Sequence, residues 1–380
     1  MVMVMEVLVP VSRPQMGDAE IAFVNEAMRE SAISGLYGTF LDRFEEEFAA
    51  FCGTRYAVTC SNGTTALHLA LVAAGVKAGD EVLVSTLTNM ASFFAVLYIG
   101  AKPVPVDIDR ATLTMDPVDL ANKITGRSKA IMVVHLFGQM TEMEPVNQLA
   151  KNHGLLVVED CAEAHGATYR DKVAGSLGDA GCFSFFANKI ITTGEGGMLT
   201  TNDAGLANKA RNLKALAFGS ANKFMHQDIG YNYRMTNVQA AIGCGQMLKA
   251  NDLIEKRREI ARFYTNRLTP YSEHIDFPVH RSHAKNVIWM YHLVLKGALL
   301  DKRTEIMGAL REQGIETREG FIPFNLQDIF LVQGIVERDT CPVANSVAYS
   351  SFYLPTGPAM DDTQLDYVAS KFCQILDRLI

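Results

Sequence analysis

From about residue 55, short apolar runs rich in β-branched residues alternate with stretches of helical character, and no other feature of the chain narrows its fold as far. Tyr56-Ala57-Val58-Thr59-Cys60 leads into a helix from Gly63 to Ala74 that Gly75 closes. Glu81-Val82-Leu83-Val84-Ser85 leads into a helix through Ala91–Ile99 that Gly100 stops. Pro103-Val104-Pro105-Val106, Ala130-Ile131-Met132-Val133-Val134, a helix over Glu144–His153 and the run Leu155–Val158 continue the pattern. Strands that are apolar at nearly every position are buried on both faces, so the pattern predicts an α/β fold with a mostly parallel sheet covered by helices on both sides. In such sheets ligands collect outside the carboxyl ends of the strands.

Beyond about residue 245 the pattern changes. The run Asp252-Leu253-Ile254-Glu255-Lys256-Arg257-Arg258-Glu259-Ile260-Ala261-Arg262-Phe263 reads as a helix whose charges face solvent. A strand over Val287–Leu295, a helix near Lys302–Gln313, a strand near Ile315–Arg318 and a last helix over Asp361–Leu379 follow. At 380 residues the chain exceeds the size at which a single core stops growing, about 300 residues. The expected division is a large α/β domain over 1–245, with its N-terminal segment, and a smaller α+β domain over 246–380.

A formal net charge of −7 offers no general attraction to nucleic acid or to an anionic membrane, so a phosphorylated ligand must be held by local groups. The seven cysteines are scattered and lack a CxxC pair, which fits reduced thiols in the cytoplasm and argues against a zinc site. The start, Met1 to Pro10, is apolar but interrupted by Glu6 and Pro10. It is expected to be neither a signal peptide nor a membrane span.

The chemistry concentrates at three places. Lys189 lies between the aromatic stretch Phe183-Ser184-Phe185-Phe186 and the loop Gly194-Glu195-Gly196-Gly197. A desolvated lysine there loses its proton readily and can form a Schiff base with an aldehyde cofactor. Asp160 ends an apolar run, where an acid can face a pyridinium nitrogen. That pair is the minimal constellation for pyridoxal phosphate, PLP. Gly63 and Thr64 open a helix directly after a strand, so their N–H groups and the helix dipole form an anion site suited to the cofactor phosphate. The glycine loop after Lys189 lacks dinucleotide-binding spacing and reads as backbone room around the cofactor, while His135 and His165 read as satisfied structural histidines.

These stretches resemble the DegT/DnrJ/EryC1/StrS sugar-nucleotide aminotransferases, within the fold-type I, aspartate-aminotransferase-like PLP enzymes. The resemblance runs through Ser61-Asn62-Gly63-Thr64-Thr65-Ala66-Leu67, Glu159-Asp160-Cys161-Ala162-Glu163-Ala164-His165-Gly166, the Lys189 segment and Gly230-Tyr231-Asn232-Tyr233-Arg234-Met235-Thr236-Asn237. It implies Lys189 and Asp160 as catalytic groups, Gly63, Thr64 and Ser184 on the cofactor phosphate, and Glu163 as a cofactor contact. It also implies a homodimer in which Asn232 reaches the phosphate of the neighbouring subunit's site. Asn89 stands where relatives place an aromatic against the cofactor ring, and Asn188, Arg234, Phe324 and Asn325 fall in stretches expected to approach substrate. The wording around Lys189 is most like that of members that aminate C4 of GDP-4-keto-6-deoxy-mannose with L-glutamate as donor. Glu319, Phe324 and Asn325 depart from that branch and leave UDP- or dTDP-linked sugars open. The resemblance also leaves open a PLP-dependent sugar dehydratase, whose relatives carry histidine at the position of Lys189. A non-catalytic PLP-binding protein is the remaining alternative, and a nicotinamide oxidoreductase lacks its fingerprint.

Overall fold

Every fourth residue of Phe40, Phe44, Phe48 and Cys52 is buried, which gives the second helix an apolar edge to lay against the sheet. The structure, a computed structural model, describes residues 7–219 and 221–380, so the sequence reading of Met1–Glu6 lies outside the described residues. Helices α1 (Asp18–Arg29) and α2 (Phe40–Cys52) precede the alternating region. Then come β1 (Tyr56–Cys60), α3 (Gly63–Ala73), β2 (Glu81–Ser85), α4 (Ala91–Tyr98), β3 (Lys102–Val106), α5 (Pro117–Lys123), β4 (Ser128–Val134), α6 (Met143–His153) and β5 (Leu156–Asp160). The short pair β6 (Thr168–Tyr169) and β7 (Lys172–Val173) leads to β8 (Ala180–Ser184), β9 (Gly197–Thr201), α7 (Ala204–Lys214) and α8 (Asn237–Met247).

Seven of these strands form one sheet in the order β1-β9-β8-β5-β4-β2-β3. Only β9 runs against its neighbours, so the sheet is mostly parallel as expected. The pleat sends successive side chains to opposite faces. Leu83, Ile131, Val133 and Val157 therefore enter one core cluster, while Val82, Val84, Ala130, Met132 and Val158 enter another. Burial on both faces is why these strands are apolar at nearly every position.

The chain continues through α9 (Ala250–Leu268), β10 (Ile275–Asp276), β11 (Ala284–Lys285), β12 (Tyr291–Leu295), α10 (Arg303–Glu312), β13 (Arg318–Glu319), α11 (Asp328–Val332), α12 (Pro342–Val347), β14 (Ser351–Leu354) and α13 (Asp362–Leu379). A four-stranded antiparallel sheet, β10-β12-β14-β13, packs with α9, α10 and α13 around a third core cluster, which Val9 joins from the far end of the sequence. Two strand expectations are corrected here. The strand expected over Val287–Leu295 begins only at Tyr291, because Ile288 takes left-handed backbone (φ 51°) and Trp289 N–H donates to the Phe137 carbonyl instead of to a ladder. Ile315 makes only an isolated bridge to Val9, and the strand proper is Arg318–Glu319. Among the described residues no helix is long and apolar enough to cross a membrane.

Candidate active site

Asn62 caps α3: its side chain accepts from Thr65 N–H at 2.9 Å, while the Thr65 hydroxyl bonds back to the Asn62 carbonyl at 2.8 Å. Among the described residues, no hydrogen bond takes the N–H of Gly63 or Thr64. The turn is held by close backbone approach. A Cβ on Gly63 would lie 2.8 Å from Ser184 Cβ, and one on Gly197 only 2.3 Å from the Asn62 carbonyl oxygen. Gly197 thus lets β9 press against the phosphate-type turn, which is a more specific need than general room around a cofactor.

Asp160 lies at the carboxyl end of β5, with its side chain nearly buried. Its carboxylate accepts from the Ser92 hydroxyl at 2.8 Å and from Ala162 N–H at 3.1 Å. Burial raises this carboxyl above its ordinary range, opposed by those hydrogen bonds and by the charges of Lys189 and His135. Lys189 sits in the turn after β8, its Nζ 3.7 Å from Glu163 Oε1 and 4.1 Å from the centre of the Trp289 ring. Burial lowers its ammonium, with the two acids pulling the other way. Glu163 accepts from Phe137 N–H at 2.8 Å, and burial pushes it to about 7 despite the neighbouring lysine. In this pair burial outweighs attraction at both ends.

These groups line one cavity of about 620 Å³ that also exposes Gly63, Thr64, Asn89, Ser184 and Asn188. Asn89 stands at its mouth and accepts from Ala91 N–H, so no aromatic ring occupies that place. Four expected site residues are elsewhere. Asn232 is exposed and does not line this chain's cavity, and Arg234 lines a separate cavity with Arg211 and Lys214. Phe324 and Asn325 are corrections of a different kind, because both are fully buried. Phe324 stacks on Phe93 at 3.9 Å between centroids, and Asn325 bonds to Thr86, Asn345 and the Arg338 carbonyl. Their stretch does reach the cavity, but through Phe321.

Sequence reasoning missed Trp289, Phe321 and Tyr353, which complete the apolar wall, and Ser92, which orients Asp160. Their signal was weak, since aromatic residues in apolar runs read as core. His135 is satisfied, between Glu159 and Thr141 N–H. His165 is not: both ring nitrogens lack partners among Phe48, Phe183 and Phe185, and burial pushes it down to about 3, so it stays neutral. Behind Phe137 lies a second cavity of about 640 Å³, where Arg110 and Lys296 are already paired with Asp276.

The residues fit PLP on their own chemistry. A helix start with free N–H groups suits the phosphate. An acid raised by burial suits a protonated pyridine nitrogen, whose charge would favour its ionised form, and a desolvated amine suits the aldehyde. Comparison with known proteins agrees. Residues 14–373 match the DegT/DnrJ/EryC1/StrS aminotransferase family. The chain is 41% identical over 368 residues to the GDP-perosamine synthase of Caulobacter vibrioides, covering 97% of this chain and 98% of that protein. It is 40% identical over 366 residues to the GDP-perosamine synthase of Escherichia coli O157:H7, covering 96% of this chain and 97% of that one. Among solved structures, a putative sugar aminotransferase from Streptococcus pneumoniae in its PLP form superposes with a TM-score of 0.91 at 26% identity, covering 98% of this chain and 99% of that one. The chain belongs to the DegT/DnrJ/EryC1/StrS family and is a fold-type I aminotransferase whose cofactor is pyridoxal phosphate.

Proposed function

We propose that this enzyme transfers the amine of L-glutamate to the C4 ketone of a nucleotide-linked 4-keto-6-deoxy sugar, with GDP-4-keto-6-deoxy-mannose as substrate and GDP-perosamine as product. The observation that carries the reading is the desolvated Lys189 amine, set between Glu163 and the Trp289 ring in the cavity that Asp160 and the α3 N-terminus also line. Likeness to two GDP-perosamine synthases over nearly the whole chain supports the sugar and the nucleotide. Phe324 and Asn325 are buried away from the cavity, so their departure from that branch carries little weight against this substrate.

When bound, PLP supplies the electron sink that stabilises negative charge on the carbon losing its proton. In this reading Gly63 and Thr64 bind the phosphate through their backbone N–H groups and Ser184 through its hydroxyl. Asp160, oriented by Ser92, holds the proton on the pyridine nitrogen. Glu163, tied to Phe137 N–H, would contact the cofactor. Lys189 Nζ, whose ammonium form burial disfavours, accepts the proton from the reacting carbon and delivers it again. Asn188 lines the sugar's approach, and Asn232 acts at the neighbouring subunit's site in a cytoplasmic homodimer. The division into 1–245 and 246–380 belongs to the same reading, the first unit holding the cofactor.

Borohydride reduction of the PLP-loaded enzyme followed by peptide mapping is expected to place the pyridoxyl label on Lys189. A label on another lysine sinks the assignment. With glutamate and a panel of GDP-, dTDP- and UDP-linked 4-keto sugars, kcat/KM is expected to be highest for GDP-4-keto-6-deoxy-mannose, and preference for another nucleotide would overturn the substrate.

A further inference from the structure

One cation in the charged run of α9 points inward. Arg257 is fully buried, while Lys256 and Arg258 on either side reach Asp362 and the Asn286 carbonyl nearer the surface. Among the described residues no carboxylate pairs with Arg257. Its Nη1 donates to the carbonyl oxygens of Trp289 and Thr356, its Nη2 reaches the Asn188 carbonyl at 3.5 Å, and its Nε has no partner. Burial strips a guanidinium of water, and without an opposite charge that loss is uncompensated. Tying carbonyls together does not by itself require a charge, because a glutamine amide also offers two donors.

The identity of those carbonyls explains the arrangement. Asn188 C=O belongs to the peptide that leads into Lys189, and it also accepts from Trp289 Nε1 at 2.9 Å. The Trp289 ring in turn faces Lys189 Nζ at 4.1 Å. One side chain therefore grips the Trp289 backbone directly and the Lys189 peptide both directly and through the indole. We propose that Arg257 is a positioning residue for Lys189, holding the Asn188–Lys189 peptide and the Trp289 ring as one frame around the amine; this rests on the reading of Lys189 as the cofactor-bearing residue. Its charge acts in the same sense. The titratable and charged groups facing Lys189 are Asp160 at the end of β5, Glu163 and His165 in the segment after it, and Arg257 from α9. Burial is the main influence lowering the Lys189 ammonium, the two acids oppose it, and Arg257 reinforces it. His165 stays neutral, which leaves Arg257 as the cation that disfavours a second positive charge beside it.

Trp289 is the only tryptophan of the chain, so fluorescence excited selectively at tryptophan reads this frame alone. In cofactor-free protein, Arg257→Met is expected to shift the Trp289 emission and increase its quenching by acrylamide. The pH midpoint for labelling Lys189 with an amine-selective reagent, read by peptide mapping, is expected to rise by about one unit, or about tenfold slower labelling below it. Arg257→Lys keeps the charge, but one ammonium cannot span the Trp289 and Asn188 carbonyls, so emission shifts while the midpoint stays. Ile260→Ala, buried on the same helix, serves as control and is expected to lower the melting temperature with both readouts unchanged. Wild-type emission and an unmoved Lys189 profile in Arg257→Met would overturn the proposal, as would an Ile260→Ala control that moves both readouts equally. Should Arg257→Met fail to fold, wild-type emission in Arg257→Lys overturns it instead. Neither readout needs bound cofactor or turnover. A pyridoxyl label found on another lysine would therefore refute the role of Lys189 and leave the measured frame intact.

Discussion

Asp160 and Glu163 lie three positions apart, and burial raises both carboxyls, yet their partners differ in kind. Asp160 is held by Ser92 and Ala162 N–H, Glu163 by Phe137 N–H and a distant lysine. In Asp160→Asn the amide can accept from Ala162 and donate to Ser92, so the protein is expected to fold with a near-normal melting temperature. It cannot hold a proton on the pyridine nitrogen, and kcat is expected to fall by about 10²-fold or more. Near-normal turnover with about 1 kcal/mol of lost stability would make Asp160 a cap instead. For Glu163 the folded protein binds a proton that the unfolded chain has released between pH 4.5 and about 7. Where the native state holds more protons, stability falls as pH rises. Cofactor-free enzyme is therefore expected to lose on the order of 2 kcal/mol across that window, and Glu163→Gln, which still accepts from Phe137 N–H, to lose less. Urea unfolding of both proteins as a function of pH measures the difference, and parallel curves would show that Glu163 does not titrate there.

Among the elements, β9 and the start of α3 depend on each other more than either depends on its own propensity. The Gly197 backbone touches the Asn62 peptide so closely that a methyl group has no place. Gly197→Ala is expected to push the turn away and cost about 1–3 kcal/mol, with weaker PLP retention because Gly63 and Thr64 move with it. Gly308 makes the contrast. It is exposed in the middle of α10, and a Cβ there meets nothing within 4 Å. Gly308→Ala is expected to stabilise by about 0.5–1 kcal/mol without touching PLP affinity. Urea midpoints and PLP titration of the two variants separate a glycine required by contact from one that is merely tolerated. Equal stability changes in both would mean that the Asn62 approach is relaxed.

For the whole molecule the question is where one site ends and the next begins. Asn232 is exposed and absent from its own chain's cavity, which supports a role at a partner's phosphate. A two-fold interface uses one patch twice, so each dimer would hold two composite sites. Lys189→Ala and Asn232→Asp are each expected to be nearly inactive, the second because aspartate repels the phosphate. In a mixed dimer one site inherits both lesions while the other receives intact Lys189 from one chain and intact Asn232 from its partner. Co-expression is expected to recover a substantial fraction of the activity that neither parent shows. No recovery would place both residues in one chain's site.

Local sequence determined what depends on neighbours along the chain. The strands β1 to β5 were legible because burial on both faces makes each run apolar throughout, and the starts of α3 and α13 are each fixed by a local capping residue, Asn62 and Asp361. Asp160, Lys189, Gly63 and Thr64 were legible for the same reason, as strand ends, a turn and a helix start. Tertiary structure alone decided what depends on distant contacts. Hydrogen bonding to Phe137 delayed β12, and stacking on Phe93 drew Phe324 into the core. The burial of Arg257 had a faint periodic trace, because it falls on the stripe Leu253, Ile254, Ile260, Ala261 and Tyr264, but charge type argued against that period. A helix's sequence shows which face turns inward; which carbonyls wait there, and so whether a cation can be held, is set only when Asn188, Trp289 and Thr356 come together.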